Sequence, residues 1–202
     1  MIAIIDYGTG NLRSVQKAFE ASGAEALITS DKAVIARAAK LVLPGVGAVC
    51  PAMERLQEKG LVEIIKKEVA SGKPFFGICL GFQLLFDSST EGGMIPALGI
   101  IPGVVERFPD TLKVPQMGWN HLEIVSPSCP MFKGLTGSPS VYFCHSYYAR
   151  PQDNAVTSAF TDYGFKYTSA VCFRNIWGAQ FHPEKSQAVG LAIVKNFVNM
   201  KE

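Results

Sequence analysis

The 202-residue chain is 48% hydrophobic and 18% charged, which fits a compact folded chain and excludes a disordered one. At about 150 residues per domain, this length predicts a single domain over 1–202, long enough to fold without a disulfide framework or structural metal. Nineteen Lys and Arg against seventeen Asp and Glu leave a net charge of +2, so composition gives no reason to expect nucleic acid or an anionic membrane as partner. The five cysteines (Cys50, Cys79, Cys129, Cys144 and Cys172) are odd in number and contain no C-x-x-C pair, which suits a reducing compartment. Met1–Asp6 reads as a first core strand rather than a signal peptide, and no apolar run reaches the ~18 residues of a membrane span. A cytoplasmic location is the resulting expectation.

In chain order, the first half alternates strand and helix. Ile2–Asp6 is a buried-type strand, followed by the turn Gly8–Asn11 and a helix from Leu12 to Gly23. Ala26–Thr29 is a second strand, and Asp31–Ala39 a short helix capped by Asp31. Leu41–Leu43 is a third strand, ended by Pro44-Gly45. Ala52–Ala70 is helical with a break at Gly60, Pro74–Ile78 is a fourth strand, and Leu80–Phe86 begins another helix. Continuous apolar strands alternating with helices predict an α/β fold whose mostly parallel sheet is covered on both faces. From Gly92 onward Gly, Pro and aromatic residues increase. Short strands at Val104–Phe108, His121–Val125, Val141–Phe143, Ala170–Phe173 and Trp177–Phe181 read as β-hairpins extending the sheet or sitting at its edge. Gln187–Asn199 is a closing helix.

The strongest chemical signal is Gly77-Ile78-Cys79-Leu80-Gly81, an apolar strand running into a helix through Gly-x-Cys-x-Gly. A nucleophile on such a turn has a crowded backbone, which the flanking glycines relieve. Amides at the start of the next helix, beginning with Leu80, would favour a thiolate and later an oxyanion. A free cysteine is by default a small buried hydrophobe, but the strand, double glycine and helix outweigh that default here. Cys144 is the rival, yet it precedes His145 directly, and adjacent strand residues point to opposite faces.

A thiol nucleophile needs a base and a group that orients it. In Gln180-Phe181-His182-Pro183-Glu184, an extended backbone would put Glu184 on the same face as His182, leaving the other ring nitrogen for Cys79. His121, with only Glu123 nearby, and His145 are the remaining histidines. The three share no metal-ligand spacing, so neither metal nor cofactor is expected. Pro44-Gly45-Val46-Gly47 follows the third strand and is positioned to turn amides toward an oxyanion. Gly8-Thr9-Gly10 fails the dinucleotide fingerprint, because Arg13 stands where its third glycine belongs, and no P-loop is present.

These residues resemble the triad-type class I glutamine amidotransferases. Asp6–Leu12, Pro44–Gly47, Pro115–Asn120 and His145–Tyr148 narrow the resemblance to the family of glutaminase subunits of imidazole glycerol phosphate synthases, over the whole chain. Phe82 departs from the Met or His that these relatives often carry. The resemblance implies a three-layer, flavodoxin-like α/β fold. It implies that Cys79 attacks glutamine, His182 shuttles protons, Glu184 orients His182, and Gly45, Val46, Gly47 and Leu80 form the oxyanion site. Gln83, His145, Ser146 and Tyr147 would hold glutamine. Ammonia would pass to a HisF-type (β/α)8 cyclase subunit in a heterodimer, giving imidazole glycerol phosphate and an aminoimidazole carboxamide nucleotide in histidine biosynthesis. Asn11, Trp119 and Lys185 map to the partner interface. Other readings are an amidotransferase for another acceptor, a stand-alone γ-glutamyl cysteine hydrolase, which would need no partner, and a non-enzymatic subunit with a relic site.

Overall fold

The computed structural model describes residues 1–126 and 128–200. The first half runs β1 (Ile2–Ile5), α1 (Leu12–Ala21), β2 (Ala26–Thr29), α2 (Lys32–Arg37), β3 (Lys40–Gly45), α3 (Val49–Glu58), α4 (Leu61–Ala70), β4 (Phe75–Cys79) and α5 (Leu80–Gln83). The second half runs β5 (Phe86–Ser89), β6 (Ile95–Pro96), β7 (Ile101–Arg107), β8 (Gln116–His121), β9 (Glu123–Ile124), β10 (Ser140–His145), β11 (Tyr147–Pro151), β12 (Thr157–Asp162), β13 (Lys166–Phe173), β14 (Ile176–Ala179) and α6 (Gln187–Val198). Among the described residues, twelve strands form one sheet in the order β2-β1-β3-β4-β14-β13-β11-β7-β5-β6, with β12 and β9 branching from β13. The first five in that order pair in parallel. Antiparallel pairing then carries the sheet through β13, β11 and β7.

The central parallel strands are mostly apolar because both faces are covered. Ala3, Ile5, Leu41, Leu43 and Phe75 pack under α3 and α4, while Ile2, Ile4, Val42, Phe76 and Ile78 pack under α1 and α6. In the second layer Phe197 of α6 meets Phe19, Phe76 and Trp177 at ring centroids of 6.1, 5.3 and 5.4 Å. Buried Lys40 fastens the same helix, donating from Nζ to the carbonyls of Phe197, Val198 and Met200 at 2.9, 2.6 and 2.5 Å. These carbonyls lie at and just beyond the C-terminal end of α6, where a helix leaves carbonyls without i+4 amide partners. The sequence-predicted breaks also follow local chemistry. Asp31 Oδ1 caps α2 through the amides of Ala33 and Val34, and Gly60, at φ +60°, separates α3 from α4.

Four expectations need correction. The helix expected over Leu80–Phe86 is one turn long, and Phe86 begins β5. Carbonyls of Leu84, Leu85 and Phe86 accept instead from Leu98, Gly99, Ile100 and Ile101, which stops the helix. Pro44 and Gly45 are the last two residues of β3 rather than a break after Leu43. The single strand expected over His121–Val125 is divided. β8 pairs with β10 in a separate two-stranded sheet, β9 pairs with β12, and buried Leu122 marks the change of partner. Strands β11 and β12 have no counterpart in the sequence reading.

Candidate active site

Parallel pairing of β3, β4 and β14 delivers three chain segments to one sheet edge, where open α/β sheets bind ligands. Cys79 ends β4, with Gly45 opposite it in register. Its backbone sits at φ +54°, ψ −108°, a conformation that costs a non-glycine residue about 1–3 kcal/mol and persists only where the surroundings impose it. Gly77 and Gly81 make the turn possible. A β-carbon at Gly81 would collide with the Leu43 carbonyl, and one at Gly77 with the Gly81 carbonyl.

The Cys79 sulfur opens into a cavity of about 300 Å³, lined among others by Val46, Gly47, Leu80, Gln83, Glu91, His145, Ser146, Tyr147, His182 and Lys185. That volume is at the small end of the ~300–1,000 Å³ typical of ligand pockets and suits an amino-acid-sized molecule. The His182 imidazole borders the same cavity, near enough to the Cys79 thiol to be influenced by it, while the sulfur itself lies 4.0 Å from the Cys144 carbonyl. On the far side, His182 Nδ1 lies 2.8 Å from Glu184 Oε1, and both side chains are buried. Burial alone would pull the His182 pKa down. The charge and hydrogen bond of Cys79, followed by those of Glu184, overcome it and push the imidazole up to about 10. The route to this geometry differs from the sequence argument. Pro183–Lys185 is a turn of 3-10 helix capped by His182, so the carboxylate reaches the ring around a turn and not along a strand.

Other expected residues divide into groups. Val46, Gly47 and Leu80 line the cavity, whereas Gly45 lies behind it, buried in the strand. The helix that Leu80 opens is only four residues, so its dipole contributes little and the individual amides matter. Gln83 Nε2 donates to the Tyr147 carbonyl at 2.9 Å and to Gln180 Oε1 at 3.0 Å, which commits both of its hydrogens to the protein. His145 Nδ1 lies 2.7 Å from that same carbonyl and Nε2 3.2 Å from the Tyr167 hydroxyl. With these neutral neighbours, burial pulls the His145 pKa down to about 4. Cys144 and His145 alternate in burial along β10, half-exposed and buried. Exposed His121 hydrogen-bonds the Ser138 carbonyl outside the cavity. Trp119, half exposed, meets Tyr142 edge to face at 6.2 Å, and Lys185 Nζ lies 5.8 Å from that same ring. Asn11 is exposed at the start of α1.

Three site residues escaped the sequence reading. Glu91 is the carboxylate on the cavity wall, and its Oε2 accepts from the Val49 amide at 2.8 Å, at the start of α3. Gln180 is fully buried, and its Nε2 lies 3.9 Å from Cys79 Sγ. Its one sequence signal is an amide two residues before His182 in an otherwise apolar run. Buried Tyr7 presses its hydroxyl so close to Gly45 that a β-carbon there would overlap it. That hydroxyl closes no hydrogen bond among the described residues, although Thr9 lies near enough to influence it. Burial, the leading cause, pushes the phenol up to about 12. Among the described residues no cluster of three or more His, Cys, Asp or Glu could hold a metal ion, and no helix is long and apolar enough to cross a membrane.

A strained cysteine on a strand-to-helix turn, faced by a carboxylate-backed histidine over a small cavity, is the arrangement of a cysteine-dependent amide-cleaving enzyme. The family model for class I glutamine amidotransferases matches residues 3–200, and the chain belongs to that family. Within it, the chain is similar to curated proteins described as imidazole glycerol phosphate synthase subunit HisH. The chain is 55% identical to that subunit from Syntrophotalea carbinolica, covering 99% of this chain and all of that protein. It is 51% identical to the subunit from Geobacter sulfurreducens, over 99% of each. Among solved structures, PurLQS from Thermotoga maritima superposes with a TM-score of 0.77 at 18% identity, over 98% of this chain and 97% of that one. A glutamine amidotransferase superposes with a TM-score of 0.75 at 23% identity, over 95% of each. At those identities the superpositions speak for the fold.

Proposed function

We propose that the chain is the glutaminase subunit of an imidazole glycerol phosphate synthase. It would act in the cytoplasm, in histidine biosynthesis, as a heterodimer with a HisF-type (β/α)8 cyclase. The observation that carries this reading is His182, buried on the wall of the Cys79 cavity with its Nδ1 2.8 Å from Glu184 Oε1. A histidine so placed stabilises a thiolate before the reaction and has a proton ready for the leaving group.

The reaction then runs in two halves. Cys79 Sγ attacks the side-chain amide carbon of glutamine, and the developing oxyanion is met by backbone amides around Val46, Gly47 and Leu80. His182 protonates the departing nitrogen, the C–N bond breaks, and ammonia leaves a glutamyl thioester. Water, deprotonated by His182, attacks the thioester. The C–S bond breaks, glutamate leaves, and the thiolate returns. Glu184 holds the ring through Nδ1 so that Nε2 serves the sulfur. Glutamine carries an α-ammonium, and Glu91 supplies a carboxylate on the wall of the cavity to receive it. The backbone around His145, Ser146 and Tyr147 forms the opposite wall. The exposed Trp119, Lys185 and Asn11 are the proposed contacts of the cyclase, which would receive ammonia before water protonates it.

The test is glutamate release by the chain with and without a (β/α)8 cyclase and that cyclase's ligand. Turnover should depend on the partner and vanish in Cys79→Ala. Full turnover by the chain alone would favour a stand-alone hydrolase.

A further inference from the structure

The buried amides behind Cys79 have an orientation that can be read from a backbone atom. The Tyr147 carbonyl oxygen can only accept, so Gln83, 2.9 Å away, must turn its NH2 toward it. For the same reason His145, 2.7 Å away, must carry its hydrogen on Nδ1. The second hydrogen of the Gln83 NH2 points at Gln180, 3.0 Å away, so Gln180 must present its oxygen there. One group of Gln180 is then left, and it is the NH2, 3.9 Å from the Cys79 sulfur. The direction of this amide is therefore fixed in two steps from a main-chain carbonyl. Its own backbone is held too, with the Gln180 amide donating to the Ser169 carbonyl at 2.9 Å.

We infer that Gln180 is a positioning residue for the nucleophile, its side-chain N–H holding the Cys79 sulfur and favouring the thiolate over the thiol. A donor to sulfur is weak while the sulfur is neutral. It strengthens about twofold when the acceptor is charged, so it stabilises the ionised form more. The proton balance is simple. The S–H bond breaks, an N–H bond forms at His182 Nε2, and the sulfur then accepts from both His182 and Gln180. The same donor assists the thiolate as leaving group when the thioester is hydrolysed. This inference rests on the proposed role of Cys79 and extends it to a residue outside the nucleophile, base and carboxylate.

Other ionisable groups also face the sulfur. His182 and Lys185 come from the segment after β14, His145 and Cys144 from β10, Glu91 from the loop after β5, and Tyr7 from the end of β1. All remain in a Gln180 variant; Gln83 loses its acceptor in Gln180→Met but keeps one in Gln180→Glu, so an effect shared by both variants reports the lost N–H to the sulfur. Gln180→Met keeps the length and removes the N–H. Gln180→Glu keeps the shape and sets a carboxylate against the sulfur.

The experiment is iodoacetamide alkylation of Cys79 in the full chain, followed as rate against pH by mass spectrometry of the Cys79 peptide. Both variants should alkylate more slowly at pH 7, on the order of tenfold for Met and more for Glu, with the profile displaced to higher pH. Glutamine turnover should fall in kcat, with KM changing less than about twofold, because the contact is to the nucleophile and not to substrate. Alkylation on the parent profile with a lowered melting temperature would make Gln180 a packing amide and overturn the inference. A second measurement needs no substitution at 180. The Gln180 side-chain NH2 resonance should follow the ionisation of Cys79 and cease to do so in Cys79→Ser, whereas a pH-independent resonance in the parent would overturn it. Glutaminase activity surviving in Cys79→Ala would instead overturn the reading of the site itself.

Discussion

Two buried histidines border the same cavity, and their surroundings drive them in opposite directions. His145, at the end of β10, is bonded to a backbone carbonyl and faces a tyrosine hydroxyl, so burial dominates and the ring stays neutral down to about pH 4. His182, just past β14, has a carboxylate on Nδ1 and the Cys79 thiol near enough to act on it, and its pKa is pushed up to about 10. Equal burial thus gives a structural imidazole in one case and a charged acid-base group in the other. Negative partners decide between them. The difference is written locally, as Glu184 two residues beyond His182 against Tyr147 two residues beyond His145.

The comparison breaks or sharpens under substitution. His182→Asn should cost the most, roughly 10²–10⁴-fold in glutamine turnover, since both proton transfers pass through that ring. His145→Asn should cost on the order of tenfold in turnover, with its larger effect on stability, about 1–3 kcal/mol in denaturant unfolding, through the lost ring and its Nε2 contact with the buried Tyr167 hydroxyl. Equal loss of turnover in the two variants would end the distinction.

Stability against pH supplies the next test, with opposite signs. An unfolded histidine titrates near pH 6.5, so between about 6.5 and 4 the unfolded chain takes up a proton that native His145 refuses. Stability from this source falls as pH falls through that window. Between about 6.5 and 10 native His182 keeps a proton that the unfolded chain gives up. Its contribution is fully present below that range and is lost as pH rises through it. The urea midpoint should therefore decline on both sides of its maximum. His145→Asn should flatten the acid limb, and Cys79→Ala, which removes the leading cause of the upward His182 shift, should flatten the alkaline one more than Glu184→Gln does. The smallest expected effect is at Trp119. Trp119→Ala should change the stability of the isolated chain by no more than about 0.5 kcal/mol while weakening association with a cyclase in a binding titration.

The two halves of the fold differ in how far they can be read. Ile2–Ile5 and Phe75–Cys79 announce themselves because parallel strands buried on both faces are continuous apolar runs. Strands β11 and β12 carry Tyr147, Arg150, Thr157 and Asp162 among their apolar residues, and their pairing is set by distant strands rather than by a local pattern. The short α5 misleads for a related reason. Phe82 and Phe86 are at helical spacing and do meet edge to face at 5.3 Å, yet Phe86 belongs to a strand. Within the site, Cys79 is legible from its glycines, and His182 and Glu184 from their mutual spacing. Gln180, Glu91 and Tyr7 reach their partners across long separations that only the folded chain closes.

The overlap between Tyr7 and the empty side of Gly45 ties two distant positions into a single choice. A methyl at 45 has room only if the phenol oxygen at 7 is gone, and even then Leu80 presses from the opposite side. Alanine at 45 with tyrosine at 7 should therefore be a forbidden combination. A library randomised at both sites and selected for growth would recover glycine with tyrosine, and accept alanine only alongside phenylalanine or something smaller.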